Sequence, residues 1–122
     1  MLWSVEMSVV VIWCSNLARS AEFYQAVLEA ERTQESSELV SVSAAGNEVL
    51  LHLLPEQYRD EPIYGAENPI KPVFEVTSLS NAAEAAMASG GSIPGEQAIY
   101  GGWEYLDVID PDGHVIQFRQ SI

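Results

Sequence analysis

Two stretches of this chain repeat one order of elements at a displacement of 62 residues, and that repetition constrains the fold more than any other feature. At this displacement Val11 meets Val73, Leu17 meets Leu79, Ala21 meets Ala83 and Glu22 meets Glu84. Asn16 meets Ser78, and either side chain can accept an orphan amide hydrogen bond at a helix start. In the first unit, residues 7–13 form a β-branched and aromatic run that predicts a buried strand. A helix is expected over 17–30, with Ala21, Tyr24, Val27 and Leu28 on one face. Strands over 38–43 and 48–54 follow, joined by Ala45-Gly46-Asn47, where Gly and Asn tolerate positive φ. The second unit has a strand over 72–76, a helix over 79–89 stopped by Gly90-Gly91, and strands over 103–109 and 115–120 around Asp110-Pro111-Asp112-Gly113. One more short strand in each unit, near 31–34 and near 92–96, makes both of them βαβββ. Such a unit has one helix to cover one sheet face, so two units can turn their uncovered faces into a shared cup. The expected fold is therefore α+β: two βαβββ modules in tandem, forming a cup-shaped, half-barrel mixed sheet. The whole chain, 1–122, is read as one domain, with modules at 1–56 and 70–122 and a linker at 57–69 rich in proline, glycine and acids.

Charge narrows the function. Eighteen acidic residues against five basic ones give a net charge of −13, which disfavours phosphate backbones and anionic membrane surfaces. No nucleic acid or membrane partner is expected, and no apolar run approaches the roughly 18–20 residues of a membrane span. The acidity serves solubility, or it attracts a cationic ligand. A single cysteine, Cys14, excludes an internal disulfide and reads as a buried, inert thiol. With no basic flank or cleavage site of a signal peptide near the N-terminus, the expectation is cytoplasmic. No Walker loop, nucleophile elbow, C-x-x-C or H-E-x-x-H motif is present in the sequence.

Three segments resemble the glyoxalase / bleomycin-resistance / extradiol-dioxygenase superfamily, the vicinal oxygen chelate proteins. Asn16-Leu17-Ala18-Arg19-Ser20-Ala21-Glu22-Phe23-Tyr24 is similar to the family's "D-L-x-x-S-x-x-F-Y". Phe74-Glu75-Val76 is similar to the opening of its second module. Asp110-Pro111-Asp112-Gly113-His114-Val115-Ile116-Gln117-Phe118 is similar to its closing "D-P-D-G-[NH]-x-I-E-[LF]". The resemblance implies paired βαβββ modules, a cup-shaped site and a homodimer. Metal-dependent members place ligands at four cup positions, which fall here on Val9, on Leu50 or Leu51, on Lys71 and on Gln117. Valine and leucine offer no lone pair, lysine repels a cation, and His52 beside the uncertain position does not complete a set. Neither a metal nor another cofactor is expected.

Alternation along strands assigns the faces. If Val9 faces the cup, so do Val11 and Trp13; if Lys71 does, so do Val73 and Glu75. By resemblance Trp103, Tyr105, Asp107, Gln117 and Arg119 join them. The candidate ligand-binding residues are Trp13, His52, Lys71, Glu75, Trp103, Tyr105, Asp107 and Gln117. Each has a structural alternative. Trp13 can be core, His52 a hydrogen-bonded barrel residue, and Glu75 and Asp107 the partners of Lys71 and Arg119 in salt bridges. His114 is explained by its turn. The function expected is metal-independent binding of a small cationic, partly aromatic molecule by a homodimer. In that reading Lys71 neutralises Glu75 and leaves Asp107 as the main anionic contact, or it holds the anionic group of a zwitterion. The alternatives are a metal-dependent lyase, isomerase or dioxygenase of the same superfamily, and a structural dimer whose cup is packed core.

Overall fold

A computed structural model describes residues 8–60 and 68–122. Met7, at the start of the first expected strand, the rest of the first module's N-terminal end and most of the expected linker lie outside the described residues. The elements run β1 (Ser8–Cys14), α1 (Leu17–Leu28), β2 (Glu31–Glu35), β3 (Leu39–Ala44), β4 (Asn47–Leu53), a single 3-10 turn (Glu56–Tyr58), β5 (Val73–Glu75), α2 (Leu79–Ala88), β6 (Ala98–Tyr100), β7 (Trp103–Ile109) and β8 (Val115–Ser121). They form two four-stranded mixed sheets, ordered β1-β4-β3-β2 and β5-β8-β7-β6. β1 runs parallel to β4 and β5 to β8, and the remaining pairs are antiparallel. This is the tandem βαβββ arrangement, and the sheets stay open without closing into a barrel. Among the described residues no helix is long and apolar enough to cross a membrane.

The displacement of 62 holds to the residue where the chain enters its helices. Asn16 and Ser78 both have extended backbone, and their side chains accept from Arg19 N and Asn81 N, three residues on. α1 is two residues shorter than expected because Glu29 adopts the left-handed conformation (φ 51°) and Ala30 N–H turns back to Gln25 O, at 3.0 Å. α2 ends where Gly90 takes φ 92° and Gly91 N–H reaches Ala86 O, at 2.8 Å. In the β3–β4 turn the positive φ values belong to Ala45 (50°) and Gly46 (84°), while Asn47 already begins β4. The expected short strand near 92–96 is displaced to Ala98–Tyr100. Only Ser92 bridges to Ile109 there, because Pro94 has no N–H to continue a ladder.

The helices lie on the same side and pack against each other, with α1 also on β3 and β4 and α2 on β7 and β8. Between helices and sheets sit Phe23, Tyr24, Val27, Val49, Leu51, Phe74, Leu106, Ile116 and Phe118, all buried. Tyr24 of the first module meets Phe74 of the second, ring centroids 6.4 Å apart, so one core spans both modules. The β7–β8 turn tightens that junction. Tyr24 Oη donates to Asp110 Oδ2 (2.7 Å), and the N–H groups of Asp112 and His114 both donate to Asp110 Oδ1 (2.9 Å each). Asp112 in turn accepts from Ser15 N–H (2.9 Å), the Ser15 hydroxyl and Arg19 (2.8 Å). Two buried carboxylates of the second module thus receive the first turn and inner face of α1.

With the core on the helix side, the opposite sheet faces are uncovered. Val9 and Val11 are 51% exposed, Trp13 42% and Val73 45%, while Ile12, Cys14 and Phe74 between them are buried. The alternation along the strands separates these two faces, but β1 is not the buried strand its apolar run predicted: only Ile12 and Cys14 are buried, because no helix covers its other face.

Candidate functional site

The uncovered face of the second sheet carries most of the polar candidates. β5 and β8 pair Val73 with Gln117 and Glu75 with Arg119. β8 and β7 pair Gln117 with Asp107 and Arg119 with Tyr105. Lys71, just before β5, reaches across to Asp107: Nζ to Oδ2 is 2.9 Å. Gln117 Nε2 donates to Oδ1 of the same carboxylate, also at 2.9 Å. Both oxygens of Asp107 are engaged. Glu75 is the looser acid, its Oε1 3.5 Å from an Arg119 nitrogen. The Arg119 guanidinium lies over the Trp103 ring, its carbon 3.8 Å from the centroid. Lys71 therefore neutralises Asp107 and not Glu75, which corrects the expected division between the two carboxylates. The reason is register. Asp107 is opposite Gln117 and Gln117 opposite Val73, so a long side chain entering β5 spans two strands to reach it.

A recess of about 750 Å³ opens on this face, lined by Asn47, Glu75, Thr77, Tyr105, Gln117 and Arg119 among others. The first module contributes through the β3–β4 turn, with Ala45 and Asn47. Of the candidates, Glu75, Tyr105 and Gln117 line the recess. Lys71 and Asp107 adjoin it through Gln117, and Trp103 supports Arg119.

Trp13 and His52 are brought together elsewhere. They are opposite each other in the β1–β4 ladder, with ring centroids 4.2 Å apart and planes tilted by 36°. His52 Nδ1 donates to Leu53 O at 3.2 Å. Trp13 also borders a more apolar recess of about 270 Å³ between β1 and the start of β8, with Ile70, Pro72, His114 and Val115. His114 Nε2 donates to the Trp13 carbonyl at 2.8 Å, tying that turn to β1.

The family's metal positions can now be placed. Val11 pairs with Leu50 and Val73 with Gln117, so Leu50 is the uncovered residue and Leu51 belongs to the core. Val9, Leu50, an ion-paired Lys71 and a hydrogen-bonded Gln117 do not make a donor set for a divalent ion. Among the described residues no three His, Cys, Asp or Glu side chains converge. The thiol of Cys14 is no substitute nucleophile, since burial pushes its pKa up to about 11.

Arg119 meets both Glu75 and Trp103; the sequence signalled it by standing two residues beyond Gln117 on the same face and as a salt-bridge partner, not as a ligand contact. Asn47 and Thr77 carried no signal, because the recess they border exists only once the β3–β4 turn lies against β5.

A family model described as a glyoxalase-like domain matches residues 8–118. Solved structures share the fold. A glyoxalase/bleomycin resistance protein/dioxygenase family enzyme from Burkholderia phytofirmans PsJN is 15% identical, with a TM-score of 0.75 over 94% of this chain and 98% of that one. A glyoxalase/bleomycin resistance protein from Albidiferax ferrireducens T118 is 18% identical, with a TM-score of 0.74 over 95% and 98%. The fosfomycin resistance protein FosX from Listeria monocytogenes is 15% identical, with a TM-score of 0.68 over 100% and 96%. No curated protein matches the sequence.

Proposed function

Because this chain belongs to the glyoxalase-like domain family, we propose that it is a member that binds a small molecule in its cup, without a metal and without chemical change. The ligand carries a cationic group and an aromatic part. The observation that carries this reading is the recess beside Glu75, a carboxylate only loosely held by Arg119, with Tyr105 on its wall and Trp103 beneath the arginine. Aromatic faces and a carboxylate attract an organic cation, and the overall charge of −13 draws one in. Trp13 and His52 extend the aromatic surface on the first sheet, and Lys71, Asp107 and Gln117 form a fixed polar wall beside the recess. The solved relatives named for bleomycin or fosfomycin resistance make sequestration of a toxic compound a natural role. Among the described residues no donor set favours the alternative reading of a metal-dependent lyase, isomerase or dioxygenase.

Tryptophan-fluorescence titration with planar cationic compounds and cationic glycopeptides, at two salt concentrations, tests the proposal. Saturable quenching that weakens with salt is the expected result, unchanged by a chelator. Loss of binding in the chelator, or a preference for purely anionic compounds, would reject it.

The exposed apolar row Val9, Val11 and Trp13, together with the exposed edge strands β2 and β6, further supports a homodimer. Light scattering at micromolar concentration should give twice the 13.4 kDa chain mass. A monomer mass would contradict it.

A further inference from the structure

The charges that border the recess define its ligand more closely, provided that the recess is the binding site proposed above. Among the described residues lining it, Glu75 and Arg119 are the charged ones, one of each sign. Their neighbours Lys71 and Asp107 are spent on each other at 2.9 Å, with Gln117 on the remaining carboxylate oxygen. Glu75 and Arg119 are held less firmly. Their 3.5 Å separation exceeds the roughly 2.7–2.9 Å of a charge-assisted hydrogen bond, and their side chains are 58% and 35% exposed. Such an exposed, stretched pair opens at little cost.

Arg119 keeps its place when the pair opens. Trp103 lies beneath its guanidinium, 3.8 Å from carbon to ring centroid, and a guanidinium stacked in this way keeps its edge N–H groups for a carboxylate. A simple amine that took Glu75 would separate it from Arg119 and leave two cations side by side. A simple carboxylate that took Arg119 would leave Glu75 facing a second anion. A molecule with both groups replaces both halves of the pair and leaves the recess balanced. Gln117, Asn47, Thr77 and the Tyr105 hydroxyl supply neutral hydrogen-bonding groups around it.

The geometry points to a zwitterionic ligand of amino-acid type, its ammonium on Glu75, its carboxylate bidentate on Arg119 and its side chain beside Tyr105. This site reads both charges of one molecule, where the net acidity of the chain alone argued only for a cation.

Isothermal titration of the whole protein with phenethylamine, 3-phenylpropionate and phenylalanine compares one frame with each charge and with both. Phenylalanine should bind at least tenfold tighter than either of the others. Glu75→Gln should remove that advantage and make 3-phenylpropionate the better ligand, while Arg119→Gln should make phenethylamine the better one. Both side chains are partly exposed, and unchanged urea unfolding confirms that the variants are folded. Phenethylamine binding as tightly as phenylalanine overturns the inference while leaving a cation-binding cup standing. The same holds if none of the three binds but the planar cations above saturate. If no compound of either panel binds, the cup is not a ligand site and both readings fall.

Discussion

Replacing Asp110 by alanine should lower the free energy of unfolding by about 3–5 kcal/mol, on the basis of roughly 1–3 kcal/mol for each buried donor left unpaired. Three donors lose their acceptor together: the hydroxyl of the fully buried Tyr24 and the N–H groups of Asp112 and His114. The loss falls where α1 of the first module meets the β7–β8 turn of the second, so it acts on the relative placement of the two sheets as well as on stability. Asp110→Asn keeps an oxygen for the two N–H groups and lets the Tyr24 hydroxyl accept instead, so its cost should be about 1 kcal/mol. Urea unfolding of the three proteins makes the comparison. A loss below about 1 kcal/mol for the alanine variant would show that water satisfies these donors and that the clamp is not what joins the modules.

The two variants also differ in pH dependence. Burial holds the Asp110 carboxyl above its ordinary 3.8, against the opposing effects of His114 nearby and of its hydrogen bonds. A value raised in the folded state means that folding favours the protonated acid. Its contribution is therefore greatest below the unfolded value and is lost as the pH rises through the folded one. Measured from about pH 4 to neutrality, the parent should lose more stability with rising pH than Asp110→Asn does. The repulsion among the other carboxylates is common to both proteins and cancels in the difference.

Trp103→Ala should weaken ligand binding by about 2–3 kcal/mol, roughly 30- to 150-fold, the range of an aromatic anchor at a binding site. The effect acts through Arg119, which loses the surface that holds it 3.8 Å above the centroid, so its fork must be ordered at each binding event. Trp103→Phe keeps a smaller platform and should recover most of the affinity. Trp13→Ala should cost less, because Trp13 stacks on His52 and borders a different recess. Calorimetric titration with whichever compound the fluorescence panel identifies measures all three. Binding by Trp103→Ala within twofold of the parent would remove Trp103 from the site.

These expectations draw unequally on what the sequence showed. The motif Asp110-Pro111-Asp112-Gly113 was legible as a turn and as a family resemblance, yet nothing local marked Asp110 as the acceptor for Tyr24, 86 residues away. Trp103 was legible as a cup residue through the family resemblance. Its role beneath Arg119 depends on Arg119 and Trp103 pointing to the same side of the β7–β8 pair, two rungs apart.

What the sequence determined by itself rests on interactions that reach a few residues along the chain. Side chains at Asn16 and Ser78 cap their own helices, and alternation along β1, β7 and β8 sets which residues are core and which are uncovered. A repeat of those local patterns was enough to specify two βαβββ modules. Tertiary structure alone decided that Lys71 meets Asp107 while Glu75 is left to Arg119, that the β3–β4 turn closes one side of the recess, and that β6 lies at Ala98–Tyr100. Each of these depends on how strands are registered and how one module is set against the other. Those relations are fixed by the packing of a shared core, in which residues far apart in the chain determine one another's positions.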